Sequence, residues 1–113
     1  MFCVKDLSVL NLDPMLQRIV TYIGEEFCLK EFCLKTITSA YRPNDPGVHG
    51  QMPVRGCDLR CRQVTTGNYV SDHINSKWEY DYDRPEMKVC VPHGEGFHYH
   101  LHIQVHPNTK QRS

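Results

Sequence analysis

Between Phe97 and Val105 the chain alternates, with His98, His100 and His102 at every second position and Tyr99, Leu101 and Ile103 between them. A period of two marks a β-strand with one buried face, because successive strand side chains point to opposite sides of a sheet. A helix would scatter the same imidazoles around its circumference. The segment from Phe97 to Val105 is therefore expected to be a strand that packs Leu101 and Ile103 on a core. Its other face then carries the three imidazoles in a row. Such a strand needs neighbours to pair its edges and a second layer to cover its apolar side.

The rest of the chain supplies both. Asp13-Pro14 reads as a helix start, since Asp caps the free N–H groups and Pro suits the first helical position. Leu16, Ile19, Val20, Ile23 and Phe27 follow at helical spacing and predict a helix to about Leu29. From Phe32 to Tyr41 apolar and β-branched residues alternate with others, as in a strand. Arg42 to Pro53 is rich in Pro and Gly and reads as a loop. Gly56 to Gln63 is expected to be a second strand and Met87 to Val91 a short one. Val70, Ile74 and Trp78 fall four apart and predict a helix from Asn68 to Trp78. His93 to Gly96 reads as a turn, with His93 a turn residue, and His73 and His106 read as surface histidines. The order helix, strand, strand, helix, strand, strand predicts an α+β fold, a central antiparallel sheet with flanking helices. The chain of 113 residues is expected to form one domain, with residues 1–12 and 107–113 as a flexible arm and tail.

Composition excludes some functions. Thirteen basic and 13 acidic residues cancel, which argues against nucleic-acid or membrane-surface binding driven by bulk charge. No apolar run approaches the roughly 18 residues of a membrane span. The first ten residues hold Lys5 and Asp6 and no long apolar stretch, so synthesis in the cytoplasm without a signal peptide is expected, and a monomer with it. Six cysteines then read as reduced, mostly buried thiols. The close pairs Cys28/Cys33 and Cys57/Cys61 leave a cysteine-based structural zinc site as an alternative.

Three imidazoles on one strand face point to a metal, because imidazole is the commonest transition-metal ligand. A catalytic zinc takes three protein ligands and keeps a position open for water. One strand can supply one or two of them. His49 in the loop and Asp58 in the next strand are the candidates for the rest.

Together these residues resemble a known family. Ser39-Ala40-Tyr41-Arg42, His49, Gly56-Cys57-Asp58 and His100-Leu101-His102-Ile103 look like the zinc D-Ala-D-Ala carboxypeptidases, which share a fold with the hedgehog signalling domain and include many phage endolysin peptidases. The motifs span residues 39 to 103. The spacing from His49 to Asp58 is longer than the family's, and the family's Ser before the loop His is missing.

The resemblance implies one zinc ion held by His49, Asp58 and His102 in a cleft on the sheet. It implies that Arg42 binds a substrate carboxylate or carbonyl oxygen, that His100 stabilises the transition state, and that Ser39, Tyr41 and His98 help line the substrate site. Glu95, helped or replaced by His98, is nominated as the base. If His98 were the third ligand, Glu95 would stand three residues before it; the ending His-Leu-His-Ile-Gln-Val favours His102. The expected activity is zinc-dependent hydrolysis of D-amino-acid-containing peptides of the bacterial cell wall, as D,D- or L,D-carboxypeptidase or endopeptidase, in phage lysis or murein remodelling. The alternative is a non-catalytic zinc domain of the same fold that binds a peptide or protein partner.

Overall fold

The computed structural model describes residues 12–27, 37–39, 54–61 and 63–112. Helix α1 is Pro14–Phe27, and strands β1 and β2 are Ile37–Ser39 and Gly56–Arg60. Helix α2, Val64–Lys77, runs directly into β3, Trp78–Glu79. Strand β4, Cys90–His93, a short 3-10 turn at Gly96–His98, β5 at His100–Gln104 and β6 at Lys110–Gln111 complete the order. This is an α+β fold with antiparallel sheets. The main sheet runs β1-β2-β5-β4, and β3 with β6 forms a second, two-stranded sheet.

Helix α1 forms where the apolar period predicted it. The Asp13 carboxylate accepts the Met15 N–H at 2.8 Å, closing the first turn as a cap does. Leu16, Ile19, Val20, Ile23 and Phe27 are all buried on one face, and α1 packs on β5. The opposite layer of this contact is the apolar side of the sheet, where Cys57, Leu59, Leu101 and Ile103 are fully buried. Emptying one such position, as in Ile19→Ala, costs roughly 2–5 kcal/mol of stability.

Helix α2 packs on β4 and is fastened by polar contacts. Asn75 Nδ2 donates to the Cys90 carbonyl at 2.8 Å, and the Cys90 N–H donates back to Asn75 Oδ1 at 2.9 Å. Ser71 Oγ donates to the same carbonyl at 3.1 Å. The helix begins four residues before the predicted Asn68, within a Val-Thr-Thr-Gly sequence of poor helix formers. Packing accounts for the difference. Gly67 lets the Tyr99 ring lie against the helix backbone, since an added β-carbon would stand 2.8 Å from two ring carbons and collide with the hydroxyl.

Two other expectations change. The strand at Met87–Val91 forms later, at Cys90–His93, so His93 ends a strand and does not sit in a turn. The strand at Phe97–Val105 starts only at His100. Gly94 and Gly96 adopt positive φ angles of 87° and 56°, which glycine alone adopts freely. The 3-10 turn that follows consumes Gly96 to His98, closed by the His98 N–H to Glu95 O and Tyr99 N–H to Gly96 O bonds. His98 is thereby removed from the row of histidines.

Residues 107–112, read from the sequence as a polar tail, are tied down. Trp78 and Glu79 pair with Gln111 and Lys110, and the Arg112 N–H donates to the Lys77 carbonyl. The strand expected over Phe32–Tyr41 is represented by Ile37–Ser39; its remainder and the loop Arg42–Pro53 lie outside the described residues.

Candidate functional site

Antiparallel pairing aligns the polar face of the sheet in rows. Asp58 of β2 is the register partner of His102, and His102 is in turn the partner of Val91 on β4. On the other side of Asp58 its register partner is Ser39 of β1. The next row holds Arg60, His100 and His93, and the one before it Gly56 and Gln104. Because side chains alternate, the residues between these rows, Cys57, Leu59, Leu101 and Ile103, face the core. The fold thus brings a carboxylate and three imidazoles from β2, β4 and β5 to one surface.

His102 Nδ1 lies 2.9 Å from Asp58 Oδ1, and its Nε2–H donates to Gln104 Oε1 at 3.2 Å. The Gln104 amide has its orientation set elsewhere, because its Nε2 donates to the Lys88 carbonyl at 2.8 Å. His100 Nδ1–H donates to the His98 carbonyl at 2.8 Å, which leaves its Nε2 facing Asp58 Oδ1 at 3.9 Å. The His93 ring meets the His100 ring edge-on, centroids 5.3 Å apart. The Asp58 side chain is 12% exposed and those of His102 and His100 are 22% and 25% exposed. All three are sheltered and reachable from solvent.

These groups line a cleft of about 600 Å³, to which Glu86, Met87 and Lys88 contribute from the segment before β4. The volume suits a peptide of a few residues. Among the described residues lining the cleft, the carboxylates are Asp58 and Glu86.

Of the residues singled out in the sequence, Asp58, His100 and His102 come together and Ser39 takes the register position beside Asp58. His98 is exposed on the 3-10 turn and contributes its carbonyl to His100. Glu95 is exposed at the start of that turn and does not line the cleft. His49, Arg42 and Tyr41 lie outside the described residues. Among the described residues no group of three or more His, Cys, Asp or Glu side chains is assembled as a metal site. Asp58 and His102 are a carboxylate and an imidazole, residue types that zinc takes as ligands, and they contact each other at 2.9 Å.

His93, Glu86 and Gln104 were missed by sequence reasoning. His93 replaces His98 as the third imidazole of the face, and the signal was present in its spacing from the short apolar strand before it. Gln104 continues the same alternation as His100 and His102, two positions further on.

The described cysteines are not among the residues that line the cleft. Cys57, Cys61 and Cys90 are free and buried. Burial pushes the thiols of Cys57 and Cys90 up to about 12, and for Cys57 the neighbouring Asp58 charge adds to the effect. A thiol so placed stays protonated at neutral pH and is a poor nucleophile. Cys28 and Cys33 lie outside the described residues.

No family model, no curated protein and no solved structure matches the chain. Among the described residues no helix is long and apolar enough to cross a membrane.

Proposed function

We propose that this chain is a zinc-dependent peptidase acting on D-amino-acid-containing stem peptides of peptidoglycan, with Asp58 and His102 as two ligands and His49 as the third. One observation carries the reading: the carboxylate and imidazole that the motif pairs, 44 residues apart in sequence, meet at 2.9 Å in an open cleft. The two side chains are of types that zinc takes as ligands.

When bound, zinc would polarise an amide carbonyl and supply hydroxide near neutral pH. The chain's own residues do the rest. Glu86, the remaining carboxylate lining the cleft, accepts the proton from the attacking water and returns it to the leaving amine; it takes the role that the motif reading gave to Glu95. His100, anchored through Nδ1–H to the His98 carbonyl, turns Nε2 into the cleft, and in its protonated form donates from there to the oxyanion. Arg42 supplies the counter-charge for a substrate carboxylate.

The test is a digest of purified peptidoglycan by the zinc-loaded chain, followed through newly formed amine ends, with the metal counted on the same sample. One zinc per chain and new amine ends are expected, with both lost in Asp58→Ala and His102→Ala. Full hydrolysis by Asp58→Ala would end the proposal. Zinc retention without any new amine ends would move the chain to the non-catalytic binding domain.

A further inference from the structure

We infer that Lys88 is the residue through which the cleft recognises a free C-terminal carboxylate on its peptide; this rests on the peptidase reading above and concerns binding, not the metal. Besides its imidazoles, the described lining of the cleft carries the charged side chains Asp58, Glu86 and Lys88. Asp58 is engaged by His102 at 2.9 Å and faces His100 at 3.9 Å. Glu86 repels an anion. Lys88 is the cation of the set. It is exposed, and its ammonium makes no ion pair or hydrogen bond with a described residue. Basic side chains elsewhere are engaged. Lys77 lies over the Tyr22 and Trp78 rings, Arg84 pairs with Asp81, and Lys110 and Arg112 pair with Glu79. A carboxylate entering the cleft therefore meets one ammonium whose charge the described chain does not already use.

The base of that side chain is fixed by the sheet. The Lys88 carbonyl accepts the Gln104 side-chain amide at 2.8 Å, and the next carbonyl, Val89, accepts the Gln104 backbone N–H at 2.9 Å. On the other side the Met87 N–H closes a turn onto the Arg84 carbonyl at 3.0 Å. Lys88 stands three residues before Val91, the register partner of His102. Its Cα is thus at most about 10 Å from the row of Asp58 and His102, the length of three extended residues. A peptide lying in the cleft with its C-terminus at Lys88 places its last one to three residues between the ammonium and that row.

The experiment measures binding of an N-acetylated tripeptide ending in D-alanine, and of its C-terminal amide, to the full chain by NMR titration with a chelator present. The free acid should bind about 2–5-fold more tightly than the amide, the range of an exposed ion pair. Lys88→Met should erase that preference by weakening the acid alone, Lys88→Arg should keep it, and Lys88→Glu should reverse it. Raising salt from about 0.05 M to about 0.5 M should shrink the preference of the unsubstituted chain, as screening of a charge pair requires. Lys110→Met, at an exposed lysine that pairs with Glu79, should leave it unchanged. An undiminished preference in Lys88→Met, equal binding of acid and amide by the unsubstituted chain, or binding of neither peptide overturns this inference. The peptidoglycan digest judges the peptidase reading separately: new amine ends there, with any of these three results here, leave that reading standing without Lys88.

Discussion

Asp58 and His102 owe their meeting to register. A shift of one residue in the β2–β5 pairing would turn Asp58 into the core and Cys57 into the cleft. Cys57, Leu59, Leu101 and Ile103, all fully buried, hold that register through the apolar area they would otherwise expose. The alternation that fixes the core thereby also fixes the site. The same scale separates two candidate bases for the proposed reaction. Both are exposed, but Glu86 lines the cleft with the histidines, whereas Glu95 does not. Glu86→Gln should lower kcat by about 10²–10⁴-fold with zinc content unchanged, while Glu95→Gln stays within a few-fold of the unsubstituted chain. Steady-state hydrolysis of a synthetic stem peptide separates them, and the reverse order would return the role to Glu95. Glu95 was nominated from the sequence, whereas Glu86 was not legible there, since it lies in a Pro- and Asp-rich stretch without periodicity. Its place in the cleft comes from how that stretch folds back before β4.

Among the elements, α1 and the centre of β5 were the most legible, because both carry a strong apolar period and bury its face. The start of β5 was misread because alternation at Phe97–Tyr99 looks like strand. Two glycines with positive φ at 94 and 96 instead turn that stretch into a 3-10 turn. The start of α2 was misread for the opposite reason: its first turn has low helix propensity and is held by packing on Tyr99. That packing makes a testable conflict. Alanine for glycine inside a helix ordinarily gains about 1 kcal/mol. At Gly67 the new β-carbon meets the Tyr99 ring and hydroxyl, and overpacking of this kind costs about 1–3 kcal/mol. The collision is the larger effect, so Gly67→Ala should lower the melting temperature. Adding Tyr99→Phe removes the hydroxyl, which has no hydrogen-bond partner among the described residues, and should recover part of the loss. A Gly67→Ala variant melting higher than the parent would show that the helix does not need this close approach.

For the whole molecule, the α+β class and the antiparallel sheet follow from element order. The second sheet, β3 with β6, did not, because two-residue strands carry no period. It joins the chain's last described residues to the end of α2, and a polar clamp reinforces it. Asp81, 3% exposed, accepts the Asp83 N–H at 3.0 Å, the Asn108 amide at 3.1 Å and the Arg84 guanidinium at 3.0 Å. These donors, the Asp83 N–H foremost, hold its carboxyl down at about 2. The unfolded chain binds that proton near 3.9, so the folded state is favoured while Asp81 is ionised. Its contribution is therefore complete above about pH 4 and is lost as pH falls from there through about 2. Asp81→Asn should flatten that part of the stability curve, as followed by urea unfolding at stepped pH. An unchanged acid slope would show that the clamp does not couple to folding.

The account's central claim is that an imidazole-and-carboxylate cleft, and not the cysteines, holds a metal. X-ray absorption at the zinc edge of the zinc-loaded chain reads the donor atoms directly. The prediction is a shell of nitrogen and oxygen at about 2.0–2.2 Å with imidazole outer-shell scattering and no sulfur. A sulfur shell at about 2.3 Å would contradict it and hand the metal to the cysteines.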